Sequence, residues 1–293
     1  MTPAAEANGA PLAGQLAPTV VSADLVYDGE PPLDDAAENY HEASKLYPAF
    51  GKRQTRGYLL EMRADVSHST TRGIKRYRTV PRVELPEALL PDVSLAQAIS
   101  MRRTQREFAE GPIELGALST LLHAGYGVTH ASKVGSPDGP SISFRSVPSG
   151  GALYPLELYV IAFTVEGLEP GLFHFDPGAR RLDQVRAVPV ETLRAEVAEA
   201  AVYAEVATTA AALVAITGMF WRTRFKYGLR GYRFALLEAG HVAQNILLTA
   251  TGLGLASAPL GGFYDRRTDE LLDLDGVNES TLYEVAVGLP AEG

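Results

Sequence analysis

The sequence predicts an α+β fold in which helices pack around one mainly antiparallel sheet. Strand-like and helix-like segments are mixed along the chain without the strict βαβ alternation that produces a parallel sheet. Two apolar runs, LELYVIAFTV at 156–165 and AALVAITGMF at 211–220, are typical of buried strands. A much longer stretch, residues 231–254, is apolar on nearly all sides and predicts a long central helix. At 293 residues, the chain is long enough to bury the core that this fold requires.

The amino-terminal third differs in composition from the rest of the chain. Residues 1–39 are rich in Ala, Pro and Gly and contain acidic residues but no Lys or Arg, which predicts a flexible tail. Residues 40–90 form a basic extension, because Lys and Arg accumulate between Lys45 and Arg82. Such a run is usually a solvated surface, although it could also hold a peptide or a partner protein. The main domain is expected to span residues 91–293.

Helical spacing of apolar residues predicts two helices early in the main domain. In SLAQAISMRR, 94–103, Ser94 is a suitable N-cap, and the helix would place arginines at its end. The stretch IELGALSTLLHAGYG, 113–127, repeats leucines at helical spacing and stops at its last glycines. The polar stretch THASKVGSPDGPS, 129–141, then predicts a loop, which is either a mobile cover or a plain surface loop.

The remaining elements follow from similar patterns. GLFHFD at 171–176 and PGARRLDQV at 177–185 predict a hairpin with its turn at 176–179. Residues 189–207 predict one helix, and residues 265–274 predict a short helix between the segments LASAPLGGF and TLYEVAVG.

Composition excludes several classes of function. No apolar run reaches the roughly 18 residues of a membrane span, and the amino terminus lacks the pattern of a secretory signal. The chain has no cysteine, and its six scattered histidines have no metal-ligand spacing. A formal net charge of −9 argues against a nucleic-acid partner. We therefore expect a cytoplasmic protein with no metal site, membrane partner or nucleic-acid partner.

The glycine-containing stretch GLGLAS, 252–257, resembles a dinucleotide-binding fingerprint only superficially. It follows a predicted helix rather than a strand, and it lacks the third glycine. We interpret it as a helix stop.

Three separated segments contain residues suited to a flat, phosphorylated ligand. RRTQREF, 102–108, gathers guanidinium groups and a hydroxyl at a helix end, where they could clamp a phosphate. PSGGALYP, 148–155, and PLGGF, 259–263, offer small residues whose main chain could approach a flat ring. Each segment alone is also compatible with a charged surface or a plain turn.

In this order the three segments resemble the FMN-dependent nitroreductase superfamily, from about Ser94 to Gly288. The stretches PSGGALYPLELYV, KYGLRGYRFALLEAGHVAQNILLTATGLGLASAPLGGF and GVNESTLYEVAVG resemble more closely the SagB-type dehydrogenases, which oxidise thiazolines and oxazolines to azoles in ribosomally made peptides. The resemblance implies a nitroreductase-like fold, FMN as cofactor, and a homodimer whose flavin sites lie between subunits. It also implies a heterocycle-bearing substrate and a separate cyclodehydratase partner that forms the ring.

The resemblance assigns the cofactor contacts by position. The family's phosphate and ribityl site matches Arg102, Arg103, Thr104 and Arg106, with threonine in place of the usual serine. The loop that reaches the flavin from the partner subunit matches Pro148, Ser149, Gly150 and Gly151. The segment whose backbone faces the ring near N5 matches Pro259, Leu260, Gly261 and Gly262. Many relatives add basic phosphate ligands near the carboxyl terminus, where this sequence reads GLPAEG, so Arg266 or Arg267 would substitute or phosphate affinity would be lower.

Lys226 and Tyr227 match the Lys-Tyr pair that the azoline dehydrogenases place at the substrate. Aromatising an azoline removes a proton and a hydride, so a base must stand opposite the flavin atom that takes the hydride. An ammonium beside a phenol favours the phenolate, and a desolvated amine releases its proton more readily. Either residue could therefore be the base, with the other as its electrostatic partner. Without the resemblance, a lysine paired with a carboxylate and a packed tyrosine would be an equally good interpretation.

Other functions remain compatible with the same residues. One is a reductase that uses NAD(P)H to reduce nitroaromatics or quinones. Another is an oxidase of a carrier-bound or free small molecule. The last is a flavoprotein scaffold without catalysis, with the basic extension as its docking face.

Overall fold

The computed structural model describes residues 35–46, 75–133 and 141–291. Most of the predicted tail and much of the basic extension lie outside these ranges. Helix α1, Ala36–Ala43, belongs to a first unit, Met1–Leu46, and spans the predicted boundary at residue 39. Asp35 caps this helix by accepting a hydrogen bond from the backbone N–H of Glu38, as N-cap residues do. All other described elements belong to the second unit, Tyr47–Gly293.

The second unit is built on an eight-stranded sheet with the order β1-β7-β6-β5-β8-β10-β2, with β9 also paired to β10. Its strands are β1 (Arg82–Glu84), β2 (Phe108–Ala109), β5 (Leu156–Ala162), β6 (Gly171–Asp176), β7 (Arg181–Ala187), β8 (Ala212–Met219), β9 (Ala256–Leu260) and β10 (Glu279–Pro290). Every pairing between these strands is antiparallel, which confirms the predicted sheet type. A separate hairpin joins β3 (Val128–Lys133) to β4 (Ser141–Arg145).

Seven α-helices accompany the sheet within the described part of this unit. They are α2 (Leu95–Met101), α3 (Leu115–Tyr126), α4 (Val190–Ala200), α5 (Ala204–Thr209), α6 (Trp221–Tyr227), α7 (Arg230–Gly252) and α8 (Asp265–Leu271). The predicted central helix is α7, which continues for 23 residues and packs against α3 and β10. Ser94 caps α2 through a reciprocal capping box with Gln97, as the sequence predicts for this helix start.

The sheet is covered by apolar side chains on both faces. On one face, Leu158 and Val160 of β5 join a core with Leu121 of α3 and Ile246 of α7. On the other face, Ile161 of β5 joins a core with side chains of α4 and α5. Successive strand residues point to opposite faces, so a strand at the centre of both cores must be apolar throughout. This explains why β5 and β8 read as continuous apolar runs.

The predicted hairpin at 171–185 is formed by β6 and β7. Its turn is held by Asp176, whose carboxylate accepts hydrogen bonds from the backbone N–H groups of Gly178 and Ala179, both at 3.0 Å. The short helix predicted at 265–274 is α8, which ends at Leu271.

Two predicted elements differ from the structure. The stretch 129–141, predicted as a loop, contains most of β3 and the first residue of β4, because even exposed polar residues can complete a two-stranded hairpin. The helix predicted over 189–207 is divided into α4 and α5, because Ala201 adopts an extended conformation and pairs with Phe263 in an isolated bridge. The helix stop predicted at 252–257 is confirmed, since α7 ends at Gly252 and Gly254 has a φ of +71°.

Candidate functional site

The predicted phosphate-binding segment lies between α2 and β2. Arg102 is the C-cap of α2, and the guanidinium of Arg103 donates to the backbone carbonyl oxygens of Ser100 and Arg102 at 2.8 and 2.9 Å. Arg103 therefore stabilises the carboxyl end of the helix, where a cation is favourable. Arg102 and Arg106 make no ion pair with a carboxylate of the described residues. These two guanidinium groups are thus available to an anionic ligand.

The predicted segment from Pro259 to Gly262 is the end of β9 and the turn that follows it. The carbonyl oxygen of Ser257 in β9 accepts a hydrogen bond from the backbone N–H of Gln105 at 3.0 Å, which ties this strand to the arginine segment. A Cβ atom built on Gly261 would lie 3.8 Å from its nearest neighbour, the Cε2 atom of Tyr283. The turn is held by a hydrogen bond from the Val202 N–H to the carbonyl of Gly262 at 3.1 Å. The structure therefore brings the arginine segment and the Pro259–Gly262 segment together within one chain.

The predicted segment from Pro148 to Gly151 lies in a tight loop that precedes β5. Gly150–Ala152 forms a single 3₁₀ turn in which Gly151 has a φ of +67°. Ala152 and Tyr154 also have positive φ values, of 53° and 47°, which non-glycine residues rarely adopt. Ser149 braces the loop by accepting a hydrogen bond at its hydroxyl from the backbone N–H of Tyr154 at 2.9 Å. Backbone held in such conformations is often found at functional sites.

Lys226 and Tyr227 end helix α6 directly beside this loop. A Cβ atom built on Gly151 would lie 2.6 Å from the Tyr227 hydroxyl and 2.8 Å from the Lys226 ammonium. The ammonium also lies 5.3 Å from the centre of the Tyr227 ring. Phe234 of α7 packs edge-on against Tyr227 and lies close to Gly150. The glycine loop and the Lys-Tyr pair are therefore neighbours, and only a residue without a side chain fits between them.

A buried ion pair holds α6 against the sheet. The Arg222 guanidinium lies 2.6 Å from a carboxylate oxygen of Glu157, which is 1% exposed near the start of β5. Arg222 also donates to the carbonyl of Tyr154 at 3.4 Å, and the second Glu157 oxygen lies 2.8 Å from His174 Nε2. Burial raises the pKa of Glu157, but Arg222 and His174 outweigh it and lower the pKa to about 2. Arg222 thus connects the start of the Lys-Tyr helix to both the sheet and the glycine loop.

A second buried carboxyl lies beneath the same loop. Glu238 of α7 accepts a hydrogen bond from the Tyr126 hydroxyl at 2.6 Å. Burial raises the pKa of Glu238 to about 7, although the Ser149 and Tyr126 hydroxyls and the charge of Arg145 lower it. The Arg145 guanidinium stacks over the Tyr126 ring at 4.1 Å. The loop therefore rests on a polar cluster that connects it to the central helix.

Sequence reasoning missed Arg222, Glu157, Glu238 and Arg145. A signal existed for the two glutamates, because each is a lone carboxylate within an apolar run, and such a residue needs a buried partner. No pattern in the sequence could identify the partners, since Glu157 and Arg222 are brought together only by the fold.

The residues present suit the cofactor that the resemblance implies. Guanidinium groups and the Thr104 hydroxyl are appropriate donors for a phosphate monoester, and the open space beside Gly261 suits the close approach of a flat ring. Arg266 and Arg267 are instead engaged in surface ion pairs, with Glu270 and Glu199, both at 2.9 Å. Among the described residues, no group of three potential metal ligands occurs, and no helix is long and apolar enough to cross a membrane.

Comparison with known proteins identifies relatives of the main domain. A family model described as "Nitroreductase family" matches residues 99–289. The "Putative nitroreductase MJ1384" of Methanocaldococcus jannaschii is 36% identical over 66% of this chain and 89% of its own length. The "Microcin B17-processing protein McbC" of Escherichia coli is 32% identical, but the match covers only 48% of this chain and 52% of that protein.

Solved structures agree with the fold. A putative nitroreductase from Anabaena variabilis is 24% identical, with a TM-score of 0.64 over 86% of this chain and 45% of that one. A chain of the "E. coli Microcin synthetase McbBCD complex with truncated pro-MccB17 bound" is 20% identical, with a TM-score of 0.55 over 87% of this chain and 92% of that one. These likenesses confirm the predicted nitroreductase-like fold. Taken with the match over residues 99–289, they show that the chain belongs to the nitroreductase family.

Proposed function

We propose that this nitroreductase-family protein is an FMN-dependent dehydrogenase that oxidises an azoline ring, a thiazoline or oxazoline, to an azole during the biosynthesis of a modified peptide. Membership of the family supports an oxidoreductase that binds flavin. The observation that carries the finer proposal is the position of Gly151, where an added Cβ would lie 2.6 Å from the Tyr227 hydroxyl and 2.8 Å from the Lys226 ammonium. The two side chains that we propose as an acid–base pair are therefore neighbours of the loop that the resemblance assigns to the flavin.

The roles of the residues follow from this arrangement. When bound, FMN supplies the hydride acceptor. Arg102, Arg106 and Thr104 would hold the phosphate and ribityl chain, with Arg103 bracing the helix end. Gly150 and Gly151 would let the main chain approach the ring, and the backbone from Pro259 to Gly262 would also face the ring.

Lys226 and Tyr227 would remove the proton from the ring carbon of the azoline. A base must accept that proton while the hydride leaves, and O2 or another acceptor would be the final oxidant. Tyr227 or Lys226 is then the base, and the other residue is its electrostatic partner.

The relatives support a peptide substrate. One is named for the processing of microcin B17, and another, TfxB of Rhizobium leguminosarum, is named for the processing of trifolitoxin. The structure of a synthetase complex with a bound precursor supports a cyclodehydratase partner for this chain as well. We propose a homodimer that acts on the heterocycles such a partner forms.

The test uses the purified full chain with its flavin and a peptide that contains one thiazoline. Oxidation removes two hydrogen atoms per ring, which mass spectrometry detects. Replacing Lys226→Gln together with Tyr227→Phe is expected to leave the flavin spectrum unchanged but to lower turnover about a hundredfold or more, because a positioned base contributes that much. Lys45→Gln, the same lysine change in the segment that follows helix α1, is the matched control and should retain turnover.

Retained turnover in the double variant would remove the pair from the mechanism. A reductase is the second candidate, since the archaeal relative is named as a nitroreductase. Steady oxidation of NADPH with a nitroarene, together with no change in the thiazoline peptide, would favour that function instead.

A further inference from the structure

A cavity rich in arginine opens beside the glycine loop. Its volume is about 1030 Å³, and it lies among β1, the hairpin β3–β4 and the turn between β6 and β7. Five arginines and one aspartate contribute to its walls: Arg76, Arg78, Arg82, Arg145, Arg181 and Asp176. A wall with this excess of cations attracts anions.

Two of the five arginines lack a carboxylate partner within the described ranges, and a third has a buried donor without a hydrogen-bond partner there. Arg181 lies 2.9 Å from Asp183, and Arg82 lies 3.6 Å from the same carboxylate. Arg76 and Arg78 make no ion pair with a described carboxylate, and Arg145 Nη1 is buried with no hydrogen-bond partner there. A buried donor without a partner is costly, so a ligand that accepts from it would stabilise this arrangement.

Arg76 and Arg78 are more exposed than their neighbours Lys75 and Tyr77. The Lys75 ammonium lies 2.9 Å from Glu279, and the hydroxyl of Tyr77, which also lines the cavity, lies 3.2 Å from that of Tyr159. Arg76 and Arg78 lie between and after them and are exposed on the cavity side. On β4, Ser141, Ser143 and Arg145 occupy alternate positions and all line the cavity. β4 thus gives the cavity one polar stripe with the two-residue period of a strand, and Arg76 and Arg78 add positive charge from a second segment.

Two strands that border the cavity also have an unpaired edge in the described structure. β1 is at the end of the main sheet and pairs with β7, and β4 belongs to a two-stranded sheet. Unpaired N–H and C=O groups at such edges can bind an extended peptide. The cavity is also far larger than one phosphate group, and its arginines come from separate segments of the chain.

We propose that this cavity binds an extended, acidic stretch of a peptide, with carboxylates at alternate positions facing the arginines. The inference rests on the proposed function for the identity of that peptide as the substrate. Arg145 and Tyr154 join the cavity to the site, because the Tyr154 hydroxyl accepts from the backbone N–H of Arg145 at 3.0 Å and Tyr154 ends the glycine loop. A peptide held there would place its continuation beside Gly151 and the Lys-Tyr pair.

The test measures fluorescence anisotropy of labelled peptides with the full flavin-bound chain. One peptide of roughly twelve residues, long enough to cross the cavity when extended, carries Asp or Glu at alternate positions. A second peptide has Asn or Gln at those positions. The acidic peptide should bind, with an affinity that falls as salt rises, and the amide peptide should bind at least about tenfold more weakly, because bonds to charged groups are the stronger ones.

The double variant Arg76→Gln/Arg78→Gln should weaken binding of the acidic peptide about tenfold or more. Arg186→Gln/Arg194→Gln, the same change outside the cavity, is the matched control and should bind as the wild type does. Equal binding of both peptides, or equal effects of the two double variants, would overturn the proposal. So would saturable binding of inorganic phosphate without binding of the peptide, which would make the cavity a site for a small anion.

The outcomes separate this inference from the proposed function. If the chain binds the acidic peptide but does not oxidise a thiazoline, the proposal for the cavity stands and the proposed reaction is wrong. If the chain oxidises the thiazoline but binds the two peptides equally, the proposed reaction stands and the proposal for the cavity is wrong.

Discussion

At the scale of single residues, Gly151 is where the glycine loop comes closest to Lys226 and Tyr227. Its φ of +67° already favours glycine, and a Cβ there would meet the Tyr227 hydroxyl and the Lys226 ammonium. Gly151→Ala is therefore expected to displace the pair and to lower kcat for azoline oxidation about tenfold to a hundredfold, because small misplacements of catalytic groups are costly. Steady-state kinetics on the flavin-bound variant measure this effect.

Gly116→Ala provides the matched control for that change. Gly116 lies in α3, and a Cβ built there meets nothing within 4 Å. Alanine is also the better helix former, so this variant should be as active and at least as stable as the wild type. An unchanged kcat in Gly151→Ala would show that the loop and the pair do not constrain each other.

At the scale of elements, the ion pair between Glu157 and Arg222 anchors α6 to β5. Glu157→Gln would leave the Arg222 guanidinium buried without its charged partner, which is expected to cost about 3 kcal/mol of the free energy of unfolding. Glu169→Gln, the same change at an exposed position, should cost little. Urea unfolding at neutral pH measures both variants, and equal midpoints would contradict the anchoring role.

The same pair predicts how stability depends on pH. The pKa of Glu157 is lowered to about 2 from an ordinary value of 4.5, so the unfolded chain takes up this proton first as the pH falls. Its contribution is therefore present above pH 4.5 and is lost as the pH falls towards 2. The Glu157→Gln variant should lack that part of the acid dependence, which urea unfolding across this pH range measures.

The elements most accessible to sequence reasoning were those specified by local pattern. The apolar runs of β5 and β8, the Ser94 cap of α2 and the long helix α7 were all predicted, because periodicity and capping are local properties. The hairpin β3–β4 and the break between α4 and α5 were missed, since both depend on pairing with distant or weakly patterned residues.

The candidate site could also be predicted only in part. The glycine segments and the arginine segment could be selected from the sequence because their residue types suit a flavin. Their supports could not, because Arg222, Glu238 and Arg145 act through contacts across the fold. Tertiary packing, and not local pattern, determines which lone glutamate meets which arginine.

At the scale of the whole molecule, the helices α2 and α7 pack together and leave large apolar side chains exposed. Leu95 and Ile99 of α2 are 68% and 57% exposed, and Leu237 of α7 is 62% exposed. The central helix was predicted to be apolar on nearly all sides, and Leu237 belongs to the part of that surface that the single chain does not cover. The resemblance implies a homodimer, and we propose that a second copy of the chain covers these exposed apolar side chains.

Ile99→Glu together with Leu237→Glu is therefore expected to convert a dimer into a monomer, because carboxylates buried at the interface without partners are costly. Light scattering after size-exclusion chromatography measures the mass directly. Val277→Glu replaces a residue that is 74% exposed in the loop before β10, and as the matched control it should leave the dimer intact. The resemblance places the glycine loop on the partner's flavin, so the monomeric variant should also lose flavin absorbance. A wild-type chain that is monomeric yet retains flavin would contradict both the interface and the shared site.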